Sequence, residues 1–167
     1  MDRHTDRVRR AEALWSRFGA AISRTLLAYE RDAYLREDLA QDVFLAVLAS
    51  IDRIEAATNP KAYLFRIAHN VATDHVARES RRRWVELDDG ITDPSVDPQG
   101  DAQSAVERER LLEAVRALRL PYRQVVVLVL EGVEQAEIAE ILGITEGTVR
   151  IRLLRAKALL KELLGHE

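Results

Sequence analysis

Cationic and polar side chains at helical spacing are the groups in this sequence best placed to do chemistry, and that chemistry is recognition rather than bond making. Arg66, Asn70, Asp74 and Arg78 follow one another at four-residue steps, and the row runs on into Arg81-Arg82-Arg83. Four residues is close to one helical turn, so the row occupies one helix face. Further along, Thr148, Arg150, Ile151, Leu154 and Arg155 point outward from a second helix once Val149 and Leu153 are given to the core. A helix lying in the major groove of DNA needs this composition: cations for phosphates and guanines, and small or apolar groups that meet thymine methyls. A helical hairpin with a solvated cationic face has the same composition, and both readings stand on these residues alone.

Bond-making chemistry has little to work with. The chain of 167 residues has no cysteine, which excludes a disulfide framework, a Cys-ligated zinc site and a cysteine nucleophile. Its four histidines are scattered, with no second ligand at metal spacing and no Gly-rich phosphate loop. His69 and His75 read as surface histidines. No catalytic residue, cofactor or metal is expected. No uncharged stretch approaches the ~20 apolar residues of a membrane span, and the polar start Met1-Asp2-Arg3-His4 is unlike a secretory signal. A cytoplasmic protein is the expectation.

The elements that hold these faces read as helices. Seven Gly and four Pro among abundant Ala, Leu, Arg and Glu point to an all-α chain. Leu14, Phe18, Ile22, Leu26 and Tyr29 predict a helix over 7–30. Leu35, Leu39, Val43, Val47 and Ile51 recur at four-residue steps and predict an amphipathic helix. Asn59-Pro60 opens another, because proline suits the first helical turn. Its apolar side is Leu64, Ile67, Ala68, Val71, Ala72 and Val76, opposite the polar row. Tyr63 and Phe65 read as core before stacking platforms. From Val106 to Leu118 is one helix, and Pro121 starts the next. The run Val125 to Leu130 has strand propensity, but no partner strand exists, so it reads as helix ended by Gly132. Gln135 to Leu142 is a short helix, Gly143 supplies a left-handed stop, Thr145 is placed to cap, and Glu146 to Leu164 is the last helix. This is helix-turn-helix mechanics.

The net charge of −3 hides strong local contrasts. Residues 61–83 hold six bases against two acids, and residues 150–161 hold five bases and no acid. Between them, residues 84–106 hold six acids and no base, broken by Asp93-Pro94, Asp97-Pro98 and Gly100. That composition reads as an acidic linker between two helical parts. Local basic faces are what a polyanion senses, whatever the overall charge.

Three segments resemble one family in register. Asp38-Leu39-Ala40-Gln41-Asp42-Val43-Phe44-Leu45 is similar to the core-polymerase-binding helix of bacterial sigma factors of the extracytoplasmic-function (ECF) group, within the sigma-70 family. Asn59-Pro60-Lys61-Ala62-Tyr63-Leu64-Phe65-Arg66-Ile67-Ala68-His69-Asn70, continuing to Arg78, resembles that group's −10 segment, most of all in its iron-uptake (FecI-like) members. Leu120-Pro121-Tyr122-Arg123-Gln124 with Gly147-Thr148-Val149-Arg150 resembles its −35-binding domain. The likeness covers about residues 10 to 162, apart from the linker.

The resemblance implies an all-α fold of two small helical domains. Residues 1–84 would be a region 2 helical bundle, 85–105 a flexible acidic linker, and 106–167 a region 4 helix-turn-helix domain. It implies core RNA polymerase, promoter DNA and an anti-sigma factor as partners, with no membrane insertion. Asp38, Gln41, Asp42 and Val43 would contact core polymerase. Lys61, Arg66, Asn70, Asp74 and Arg78 would handle the melted −10 strand, where a basic path and a base pocket are both needed. Asp74 either accepts from a cytosine amine or orients Arg78. Trp84 either stacks on DNA or closes the domain. Thr148, Arg150, Ile151, Leu154 and Arg155 would read the −35 duplex. Ile151 stands where many members have Ser, and Leu154 where His or an aromatic is common. Both either read thymine methyls or meet a protein such as an anti-sigma factor. A sigma-like mimic that binds an anti-sigma factor and a conventional helix-turn-helix regulator are the other function classes.

Overall fold

Several of the helices start where a side chain caps them. The computed structural model describes residues 2–85 and 102–165, with side chains at 83–85 left aside. Helix α1 (Arg3–Leu27) follows Asp2, whose carboxylate accepts from the His4 amide. Helix α2 (Ala33–Ala49) follows Asp32, which accepts from the amides of Tyr34 and Leu35 at 2.8 and 3.1 Å. Each cap satisfies amides that the helix itself leaves without partners. The apolar row beginning at Leu35 is broken at Ser50, so Ile51 opens a separate short helix, α3 (Ile51–Ala56). Asn59 caps α4 (Pro60–Val85) through a 3.1 Å bond from the Ala62 amide to Asn59 Oδ1.

Helix α5 (Ala102–Ala117) begins four residues ahead of Val106. The remaining acidic stretch, 86–101, and with it most of the expected linker, lies outside the described residues. Helix α6 (Leu120–Leu130) has Pro121 in its first turn, and its β-branched run is helical. Val125, Val126, Val127 and Leu128 are all buried, so tertiary packing overrides their strand propensity. Gly132 follows at φ +75°. Helices α7 (Gln135–Leu142) and α8 (Glu146–Gly165) complete the chain. Among the described residues every regular element is a helix.

The two halves are packed together through two buried clusters. The larger one joins Ile22, Leu26, Leu39, Val43, Val47, Ile51 and Ile54 of the first half with Val115, Val126, Val127 and Ala156 of the second. Trp15 meets Phe44 edge to face at its border, ring centroids 5.5 Å apart. The smaller cluster is built by α6, α7 and α8, but it also takes in Ala62 and Phe65 from α4. Phe65 is therefore core, as its position predicts, although the core it fills belongs to the opposite half of the chain.

Candidate nucleic-acid interface

The turn between α7 and α8 has the geometry its residues predict. Gly143 ends α7 in the left-handed region, φ 66° and ψ 36°, where a Cβ is disfavoured. The Ile144 amide donates to the Ala139 carbonyl at 3.0 Å. Thr145 Oγ1 accepts from the Thr148 amide at 3.1 Å and caps α8. Val149, Leu153 and Ala156 are buried, which turns Arg150, Ile151, Leu154 and Arg155 to solvent. Thr148 is half-buried, with its hydroxyl 2.9 Å from Thr145 Oγ1, so its side chain is part of the cap.

On α4, Arg66, Asn70, Asp74 and Arg78 are all exposed, as the four-residue steps require. Lys61, at the head of the row, is half-buried with its ammonium 5.8 Å above the Phe65 ring. Among the described residues no ion pair joins Asp74 to Arg78. Arg66 has a use the sequence does not suggest. Its guanidinium donates to the carbonyls of Glu140 at 2.8 Å and Ile141 at 3.3 Å, in the last turn of α7. Those carbonyls carry the negative end of the helix dipole, so a cation there is favourable.

On α2, Asp38, Gln41 and Asp42 are exposed. Val43 is fully buried in the larger cluster, and its assignment to a polymerase-facing surface is corrected for this arrangement: with the two regions packed together its side chain presents no surface to a partner. The apolar side chains the helix does present beside these residues are Tyr34, Leu35 and Leu45, at 83%, 37% and 60% exposure.

The match to known families follows this division of the chain. Residues 14–82 match the family model for sigma-70 region 2, and residues 108–160 match that for sigma-70, region 4. The RNA polymerase sigma factor CarQ of Myxococcus xanthus is 33% identical over 168 residues, spanning 99% of this chain and 95% of CarQ. The chain belongs to the sigma-70 family, as an ECF sigma factor. The ECF sigma factor SigM of Mycobacterium tuberculosis is 30% identical over 93% of this chain and 77% of its own. Among solved structures, the sigma factor RpoE of Bartonella quintana, in complex with the anti-sigma factor NepR, superposes with a TM-score of 0.73. It is 25% identical and covers 93% of this chain and 97% of its own. CnrH, solved with the cytosolic domain of CnrY, shares the fold at a TM-score of 0.68 over 97% of this chain and 94% of its own.

In this sigma factor, polar contacts also join the region 2 and region 4 helices. Arg116 of α5 donates twice to the Leu27 carbonyl at the end of α1, at 3.1 and 2.9 Å. Arg24 forms a two-bond ion pair with Glu131, both at 2.9 Å. Arg31 pairs with Glu113 at 2.9 Å. The buried Arg123 donates to the Leu118 carbonyl and lies 5.6 Å over the Tyr29 ring. Burial lowers the pKa of Arg123 from its ordinary value, and Tyr29 partly offsets this.

His69 and His75 are buried rather than at the surface. His69 Nδ1 lies 2.8 Å from the Tyr29 hydroxyl, and its ring meets the Tyr29 ring edge to face. Its Nε2 has no hydrogen-bond partner among the described residues. Burial pushes the His69 pKa down to about 4, so the ring is neutral at pH 7. His75 is hydrogen-bonded to Glu30. Residues Tyr29 and Glu30, which hold these two rings, sit just beyond α1, some forty positions away in sequence. No group of three metal-ligating side chains, and no helix long and apolar enough to cross a membrane, occurs among the described residues.

Proposed function

We propose that this sigma factor docks on core RNA polymerase through the exposed face of α2, reads the −35 duplex with α8, and captures the melted −10 strand along α4. The observation that carries the reading is the pairing of two exposed cationic helix faces, Arg150 with Arg155 and Arg66 with Arg78, in a chain that matches regions 2 and 4. Asp38, Gln41 and Asp42, with Leu45 beside them, supply the polymerase contact. Asn70 offers both a donor and an acceptor to a base edge. Residues 1–84 and 106–167 act as the two binding units, with 85–105 between them.

The geometry adds a requirement. Elements at −35 and −10 are about 25 base pairs apart, roughly 85 Å at about 3.4 Å per pair. Here α4 and α7 are in contact, so reading both elements requires the two regions to separate and Arg66 to leave α7. RpoE of Bartonella quintana is solved with the anti-sigma factor NepR, and we propose a protein of that kind as a further partner of this chain. The finer likeness to iron-uptake members rests on Asn59 to Arg78 alone.

The test is transcription by bacterial core polymerase with this protein added, on templates with randomised −35 and −10 sequences. Specific transcripts that need both components support the reading. Core binding without transcripts favours the mimic, and DNA binding without core binding favours a conventional regulator. Arg150→Ala and Arg155→Ala are expected to weaken −35 recognition and leave core binding intact.

A further inference from the structure

We propose that Ile151 and Leu154 select thymine in the −35 element, each side chain laid against a thymine C5-methyl group in the major groove. This rests on α8 being the duplex-reading helix, and deepens that reading by naming the groups it discriminates.

The two residues stand opposite the core. At roughly 100° per residue, Ile151 is turned about 160° from Val149 and Leu153, and Leu154 about 140° from Val149 and about 160° from Ala156. Ile151 is 53% exposed and Leu154 is 72% exposed. Single exposed leucines are common on soluble proteins and need no explanation. Here two large apolar side chains three residues apart form one ridge, and Arg150 and Arg155 flank it. A ridge that is apolar along its crest and cationic on its sides complements a polyanion with an apolar group on its floor. In the major groove that group is the thymine methyl, the only apolar one any base pair shows there. Against adenine, guanine or cytosine edges the same side chains would leave donors and acceptors dry and unpaired.

Spacing and position agree. Three residues rise about 4.5 Å along the helix, close to the roughly 3.4 Å between successive base pairs, so the two side chains fall over neighbouring pairs. They are the sixth and ninth residues of α8, in the half of the helix that a helix-turn-helix directs at base edges. A protein docked on the ridge is the competing occupant, and the cations on both flanks favour DNA over it.

Deoxyuridine differs from thymidine at this edge only by the missing methyl, so it isolates the proposed contact. The −35 sequence is first selected from a randomised library by holoenzyme made with this protein. Each thymine in it is then replaced by deoxyuridine, and holoenzyme binding is measured. Expected is about three- to five-fold weaker binding at one or two neighbouring positions. Ile151→Ala and Leu154→Ala should each abolish the sensitivity at one position. Both sites are exposed, and an unchanged melting temperature verifies folding. Uniform indifference to the methyl, or a sensitivity that survives both variants, overturns the proposal while leaving the promoter reading standing. Absence of any selected −35 sequence overturns the promoter reading, and this proposal with it.

Discussion

Replacing Phe65 with Ala should loosen the contact between α4 and the region 4 helices while leaving the region 2 core in place. Phe65 is 3% exposed, and the buried neighbours it shares lie in α6, α7 and α8 rather than among α1, α2 and α3. Truncating a buried Phe to Ala removes about 3–5 kcal/mol of packing. If that energy acts mainly between the regions, the ratio of separated to packed molecules rises by about two to four powers of ten. The shift is partly resisted, because Arg116 on Leu27, the Arg24–Glu131 pair and the larger cluster still bridge the regions. Ile141→Ala attacks the same contact from the α7 side, since Ile141 is 4% exposed in the same cluster. The two changes should be less than additive in combination, because they delete one shared interface.

The absence of native cysteine allows the assay. Cysteines placed at the exposed positions Glu12 and Glu162 carry a donor and an acceptor dye, and energy transfer reports the distance between α1 and α8. Phe65→Ala should lower the transfer efficiency under conditions where circular dichroism shows the helices intact. A single cooperative loss of transfer and helicity together, in the variant as in the parent, would refute the reasoning. It would mean that Phe65 belongs to one indivisible core and that region separation is not a distinct step.

Acid should destabilise the protein through His69. Its folded pKa of about 4 lies below the ordinary 6.5, so the unfolded chain binds the proton more readily. The stability from keeping this ring neutral is complete above about pH 6.5. It is lost as pH falls toward 4, amounting to about 3 kcal/mol in all. Melting temperatures between pH 7 and 4 measure it, and His69→Phe should flatten the profile. Gly143→Ala should cost about 1–2 kcal/mol from its left-handed backbone alone, because a Cβ there meets nothing within 4 Å. Chemical denaturation checks this, and Gly143→Asn should recover part of the loss. Asp38→Arg and Leu45→Ala should each weaken binding to core polymerase, with −35 recognition in the assembled complex unaltered; pull-down with core alone gives the readout.

What the sequence discloses depends on how local the cause is. The ends of α7 and α8 are legible because Gly143 and Thr145 act on their immediate neighbours. The start of α4 is legible for the same reason, in Asn59 and Pro60. The helical state of Val125 to Leu130 required one step more, the absence of any strand to pair with. Val43 is instructive because two signals conflict there. The four-residue row Leu39, Val43, Val47 assigns it to the core, whereas its place in a family motif assigns it to a contact surface. Periodicity is the signal that holds, since burial follows directly from the geometry of the helix.

The remaining differences share a single cause. His69 and His75 look like surface residues until Tyr29 and Glu30 are brought to them from the end of α1. Arg66 looks like a free cation until the end of α7, 74 and 75 residues away, is brought to it. Ile141, whose carbonyl accepts one of the Arg66 bonds, has an apolar side chain on the same helix end. It is buried, in the cluster that contains Phe65. The chemistry of the Arg66 contact bears on the proposed function. The Glu140 and Ile141 carbonyls offer its guanidinium partial negative charge at hydrogen-bonding distance, much as phosphate oxygens of a DNA backbone would. The same side chain therefore suits both the packed arrangement and a −10 strand, and it cannot hold both. On this reading, promoter DNA and α7 compete for Arg66, and the separation of the regions and the engagement of the −10 element are one linked equilibrium rather than two steps in series.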